Sequence, residues 1–165
     1  IDGINLNRDF DYKWSSTDDN GEVPFSRVES QVMRDFLFNN DDALLFIDCH
    51  VRGSRLKSDN DLMLMTSSGE KERYILTSTV EKMTRKWKLK YTDLNTVSGQ
   101  LGFIGTSDGR RTIRSYTHNV VGIPSILWEG FKASPTMSDR EGKDVMDMNV
   151  DYLGETIFNS IKNYQ

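Results

Sequence analysis

In 165 residues the chain has one cysteine, two histidines and three prolines, and no apolar run long enough to span a bilayer. Each scarcity excludes something. With Cys49 alone there is no internal disulfide, and its setting inside an apolar run marks it as a small buried hydrophobe more than a reactive thiol. Basic residues do not dominate: 25 Asp and Glu stand against 21 Lys and Arg, with the signs interspersed. Without a basic stripe to neutralise phosphates, nucleic acid is not an expected partner, and neither is a membrane. Repeats and low-complexity tracts are also missing. The first residue is Ile1 and not Met, which leaves room for a signal peptide or a folded segment upstream, so the compartment stays open.

What remains is a chain of one-domain size, 36% hydrophobic, able to bury roughly 70% of its unfolded surface. Its patterning alternates between helix and strand. FSRVESQVMRDFLFNN opens with Ser26 and Glu29 at capping-box spacing and places Val28, Val32, Met33, Phe36 and Leu37 on one helical face. ALLFIDCH is a continuous apolar run of strand length ending at His50, which predicts a strand buried on both faces. DLMLMTS predicts a second strand. EKERYILTSTVEKMTRKWKL predicts a helix with Ile75, Leu76, Val80, Met83 and Trp87 inward. SGQLGFIGTSDG reads as a Gly-rich loop, RTIRSYTHNVV as a helix stopped by Gly122 and Pro124, and SILWEG as a third strand. A last helix carries Met146, Val150, Leu153, Ile157 and Ile161 at inward spacing. Apolar strands alternating with amphipathic helices predict an α/β sandwich with a mostly parallel sheet.

In such a sheet ligands collect at the carboxyl ends of the strands, where His50 and Glu129 fall. His50 is a candidate metal ligand or general base, or a histidine simply hydrogen-bonded in place. Asp48 lies two residues earlier, on the same side of the strand, and can orient the imidazole from behind. Glu129 between Trp128 and Phe131 is expected to be partly desolvated, which suits a general base; the plain alternative is an exposed charge closing a strand. At the start of the chain Asn7 and Arg8 set amide and guanidinium donors side by side, a clamp for a carboxylate or phosphate, or a solvated turn.

Taken in order, Asn7-Arg8 with Trp14, Pro24 before the Ser26-x-x-Glu29 helix start, the apolar strand ending in His50, and Gly122-Ile-Pro-Ser-Ile-Leu-Trp-Glu129 resemble the C-terminal half of the zinc metallocarboxypeptidases of the carboxypeptidase A type. The resemblance runs over nearly the whole chain. It implies a three-layer sandwich with a mixed, mostly parallel sheet flanked by helices, of which this chain is part. It implies that Asn7 and Arg8 grip the terminal carboxylate of a peptide, that His50 is the third zinc ligand and that Glu129 is the general base. The cofactor implied is zinc. Arg8 would then admit only the terminal peptide bond to the metal, giving a carboxypeptidase by geometry.

Other features depart from that family. Its first two zinc ligands come from a His-x-x-Glu motif upstream of the Asn-Arg pair, and neither His50 nor His118 begins such a motif. The missing N-terminal half-domain is therefore an expected partner, and this chain alone is expected to hold zinc weakly or not at all. Asp9 stands where the family has a second Asn. Tyr116 is the nearest match to the family's mobile substrate-binding tyrosine, and is equally placed to be core. The specificity pocket is expected in SDGRRTIR, where Arg110, Arg111 and Arg114 either favour an acidic substrate side chain or form a solvated basic face. Asp48-Cys49-His50 is also similar to the Asp-x-His of amidohydrolases that deacylate amino acids, so peptide and acyl-amino-acid substrates both stay open. A non-catalytic binding or structural module on the same fold is the alternative of a different class.

Overall fold

The structure, a computed structural model, describes residues 3–16, 21–51, 63–67, 69–88, 102–106, 112–130 and 139–164. After a 3₁₀ turn at Leu6–Arg8 come helix α1 (Val28–Phe38), strands β1 (Phe46–Val51) and β2 (Met63–Ser67), helix α2 (Glu70–Lys88), strand β3 (Gly102–Thr106), the short helix α3 (Ile113–Tyr116), strand β4 (Ser125–Gly130) and helix α4 (Asp139–Tyr164). The strands form one mixed sheet in the order β1-β4-β2-β3, with β1 parallel to β4, β2 parallel to β3, and β2 antiparallel to β4. A crossover order of this kind is what long helical connections produce.

Strand β3 corrects the expectation of a loop. GFIGT carries two glycines and only a two-residue apolar core, too little signal by itself; pairing along all five residues with β2 fixes it as a strand. By contrast SILWEG forms β4 as expected. The helix over 113–121 begins as α3 and widens into a π-turn, Thr117–Val121, which Gly122 ends at φ 91°, a left-handed conformation suited to glycine.

Alternate residues of β4 face opposite sides. Ile126 and Trp128 pack with Leu76, Val80 and Met83 of α2 and Met148 and Tyr152 of α4, joined at the edge by Ile47 of β1. A second cluster gathers Phe10, Leu37, Tyr116 and Ile123, with Phe46 of β1 packed against it. Helix α2 thus buries Ile75, Leu76, Val80 and Met83 as its spacing predicts; Trp87 lies outside the residues whose side chains are described.

Helices α1 and α4 depart from their predicted faces. In α1 only Leu37 and Ser30 are buried, while Val28, Val32, Met33 and Phe36 are exposed. In α4 Met148, Tyr152, Thr156 and Ser160 face inward, and Met146, Val150, Ile157 and Ile161 face outward. Thr156 and Ser160 return their hydroxyls to the carbonyls of Tyr152 and Thr156, at 2.8 and 2.7 Å, so the buried stripe can be partly polar without unmet hydrogen bonds. Of the predicted apolar stripe of α4, Leu153 packs against the core as expected, while the other four positions face outward. β1 is not buried on both faces either: Cys49 is exposed, because β1 is the outer strand of the described sheet.

Candidate active site

The residues singled out by the sequence arrive here from three directions. Parallel pairing of β1 with β4 sets His50 opposite Glu129 and Asp48 opposite Leu127, so His50 and Glu129 are neighbours at the carboxyl ends of adjacent strands. The 3₁₀ turn supplies Asn7 and Arg8. Helix α3 supplies Arg114, and together with Leu127 these side chains line one cavity of about 290 Å³.

Asp9, which the sequence marks only as a departure from the family, fixes the turn. Its carboxylate is completely buried and accepts from the backbone N–H of Ser26 (3.1 Å) and Arg27 (3.1 Å) and from the hydroxyls of Ser26 (2.9 Å) and Ser30 (2.6 Å). These groups are the open amino end of α1, where an acceptor and a negative charge are both favourable. The expected capping box is corrected accordingly: Ser26 gives its hydroxyl to Asp9, and the N-cap position, Arg27, makes no side-chain cap. Asp9 caps the helix from another part of the chain, and so ties Arg8 to α1. The Phe25 backbone N–H adds a bond to the Asp9 carbonyl at 2.7 Å, holding Phe25 at φ 57°, a left-handed conformation costly for an aromatic residue.

Asn7 ties the same turn to the rest of the site. Its Oδ1 accepts from the Ile113 N–H at 2.9 Å, at the first turn of α3, and its Nδ2 lies 3.4 Å from His50 Nε2. That nitrogen is also 2.8 Å from Asp48 Oδ1. One ring nitrogen cannot donate to the carboxylate and accept from the amide together, and the shorter, charge-assisted contact prevails. His50 Nε2 therefore carries the proton toward Asp48, and the lone pair stays on Nδ1. Burial pushes the Asp48 carboxyl up from its ordinary range, opposed by His50 and Arg114. Asp48 thus has the position behind the imidazole that its spacing suggested.

Two other expectations do not reach the cavity. Tyr116 does not line it: the ring is 3% exposed, against Phe10, Phe25 and Phe38 at centroid distances of 5.5, 5.4 and 6.5 Å. Aromatic packing of that kind explains the residue fully. Trp128 does not desolvate Glu129, since strand alternation sends it to the opposite face, and Phe131 lies outside the described residues. Arg110 and Arg111 lie outside them too. Arg114, expected either in a specificity pocket or on a solvated face, is 1% exposed and at the cavity wall.

The sequence model of the zinc carboxypeptidase family matches residues 1–123. The chain belongs to the zinc carboxypeptidase family. A solved structure, carboxypeptidase A from Helicoverpa armigera, superimposes with a TM-score of 0.63 at 16% identity, covering 98% of this chain and 42% of that one. The chain thus spans less than half the length of that relative, and the likeness is one of fold. No curated protein matches. Among the described residues no group of three or more His, Cys, Asp or Glu side chains could hold a metal ion. His50 with Nδ1 unprotonated has the donor chemistry of one zinc ligand, which fits a site completed by residues beyond these.

Proposed function

We propose that this chain is the substrate-gripping and proton-transfer portion of a zinc-dependent carboxypeptidase, which releases the last residue of a peptide. The observation that carries the reading is the convergence of Arg8, His50 and Glu129 on one cavity from positions far apart in the sequence. The whole domain on this reading is a three-layer sandwich, with the two apolar clusters on either side of the sheet. Its remaining part supplies the His-x-x-Glu ligands that the 165 residues lack.

Each residue then has one task. Arg8 holds the free carboxylate bidentately and sets the terminal bond over the reacting position. Asn7 keeps Arg8 in register with α3 and His50. His50, oriented by Asp48, offers Nδ1 to the metal. Zinc, when bound, polarises the scissile carbonyl and eases ionisation of water. Glu129 takes up a proton from the attacking water and delivers it to the leaving amine. A ligand-binding module without catalysis is the second reading, favoured by the absence of a complete metal site among the described residues. It uses the same Arg8 grip. Hydrolysis of an acyl-amino acid would use the same residues on a shorter substrate.

Two substitutions test the roles. Where the chain is joined to a segment carrying His-x-x-Glu, Glu129→Gln is expected to keep zinc and lose most turnover, because an amide cannot accept the proton. Arg8→Ala is expected to weaken ligands with a free terminal carboxylate by roughly 2–4 kcal/mol and to leave amidated ligands nearly unchanged. Peptidase assays and calorimetric titration read the two effects. Unchanged turnover in Glu129→Gln together with carboxylate binding intact in Arg8→Ala would exclude the carboxypeptidase reading.

A further inference from the structure

Helix α4 has a second apolar side. Met148, Tyr152, Thr156 and Ser160 are buried on its inward side, yet Met146, Val150, Ile157, Phe158 and Ile161 are all exposed. With 3.6 residues per turn, those five side chains fall within about 80° of the helix line that runs through Gly154. Single apolar residues on a surface are ordinary, but a continuous stripe about 23 Å long marks a place where something docks.

The centre of the stripe is a glycine. Gly154 is exposed in the middle of a 26-residue helix, where glycine weakens the helix relative to alanine. Nothing among the described residues asks for it: the backbone there is helical, and a Cβ added at Gly154 would meet no atom within 4 Å. A glycine so placed lets the backbone of another helix come close, to about 8 Å between axes.

We infer that the outward face of α4 docks on the same face of a second copy of this chain, the two helices running antiparallel about a twofold axis at Gly154. Charge selects both the occupant and the direction. Asp147 lies seven residues before Gly154 and Lys162 eight after it, and both are exposed. At about 1.5 Å per residue, the antiparallel arrangement sets each Asp147 within about 2 Å, along the axis, of the level of Lys162 in the other copy. The twofold makes this two opposite-charge pairs, whereas a parallel pairing sets like charges against each other. Lys143 lies level with the end of the second helix, beyond Tyr164, and Asp151 and Glu155 are held by Lys86 and Lys82 of α2. The cavity stays open in such a dimer. Leu127 and Glu129 reach it from the face of β4 opposite to Ile126 and Trp128, the residues on which α4 packs. A segment that completes the site at His50 approaches that cavity face, not the outward side of α4.

Sedimentation velocity over about 1–200 µM, on the chain alone and on the chain joined to a His-x-x-Glu segment, tests the inference. A reversible dimer is expected in both forms. Asp147→Lys should raise its Kd at least about tenfold, and Asp147→Lys combined with Lys162→Asp should return it close to the original value. Gly154→Leu should abolish the dimer while leaving the urea midpoint of the monomer equal or higher, because leucine suits a helix better than glycine. Monomers throughout the range in both forms overturn the inference. A dimer that survives Gly154→Leu, or one that the double charge exchange fails to restore, uses another face, such as Val28, Val32 and Phe36 of α1, and overturns it as well. A dimer formed by the chain alone and lost in the joined form assigns the stripe to the joined segment, with the same consequence.

Discussion

The two faces of strand β4 divide the molecule's work. On one, Ile126 and Trp128 meet α2 and α4 in an apolar cluster in which six of seven members are at most 4% exposed. On the other, Leu127 and Glu129 look into a cavity with two arginines, a histidine and two asparagines. Neighbouring residues therefore obey opposite rules: removing atoms from one face removes buried contacts, whereas removing them from the other removes charges that line a cavity. The cavity face can hold such charges because the apolar face, together with the Asp9 anchor, supplies the rigidity that an unsatisfied polar site cannot supply for itself.

The largest expected effect falls on the apolar face. Trp128→Ala should cost about 3–5 kcal/mol, the usual range for truncating a buried aromatic, read as a lower midpoint in urea unfolding. Leu127→Ala, half-buried beside the cavity, should cost distinctly less. Equal losses at the two positions would break the division between the faces.

Next comes the anchor that joins them. Asp9→Ala leaves the N–H groups of Ser26 and Arg27 and the hydroxyl of Ser26 without their acceptor, whereas the Ser30 hydroxyl keeps the Arg27 carbonyl at 2.8 Å, and should cost about 2–3 kcal/mol. Unlike Trp128→Ala, it should also weaken carboxylate-ended ligands, because it frees the turn that carries Arg8. Ligand titration at a temperature where the variant remains folded separates the two. A loss of stability with ligand affinity intact would make Asp9 a helix cap and nothing more.

The legible parts of this molecule are those in which one residue type and its position carry the signal. His50 and Glu129 close apolar strands, and a parallel register then brings them side by side without any further information from the sequence. Asn7 and Arg8 read from their own residue types as a solvated turn or an anion clamp, and the structure puts both at the cavity wall. Asp9 was not legible, since its partners lie 17 to 21 residues away, and a plausible Ser26–Glu29 cap drew attention from them. Helical periodicity located α1 and α4 and put Leu37 and Leu153 inward, but it marked most of the other apolar positions wrongly; in α4 it took no account of small hydroxyl side chains such as Thr156 and Ser160 that bond to their own helix. GFIGT has so little strand character of its own that only its partner β2 makes it one. Tyr116 shows the reverse hazard, a position that suits the chemistry and a side chain held by packing.

The smallest effect concerns pH, and it sets two phenols away from the cavity against the charges that line it. Burial pushes the phenols of Tyr116 and Tyr164 above their ordinary range, and Glu72 beside Tyr164 pushes that one further. An unfolded tyrosine ionises near pH 10, so the unfolded chain loses these protons first. A raised value in the fold means that the contribution of the neutral phenol is fully present below about pH 10 and is lost as the pH rises toward the folded values, at no more than about 1.4 kcal/mol per pH unit for each group. Stability measured in urea should therefore fall between pH 10 and 11, and Tyr164→Phe should flatten that decline while changing little at pH 7. Absorbance of tyrosinate gives a second reading: Tyr116 and Tyr164 should ionise late, together with unfolding. Ionisation of Tyr116 and Tyr164 near pH 10 in a still folded chain would show that water reaches these two rings.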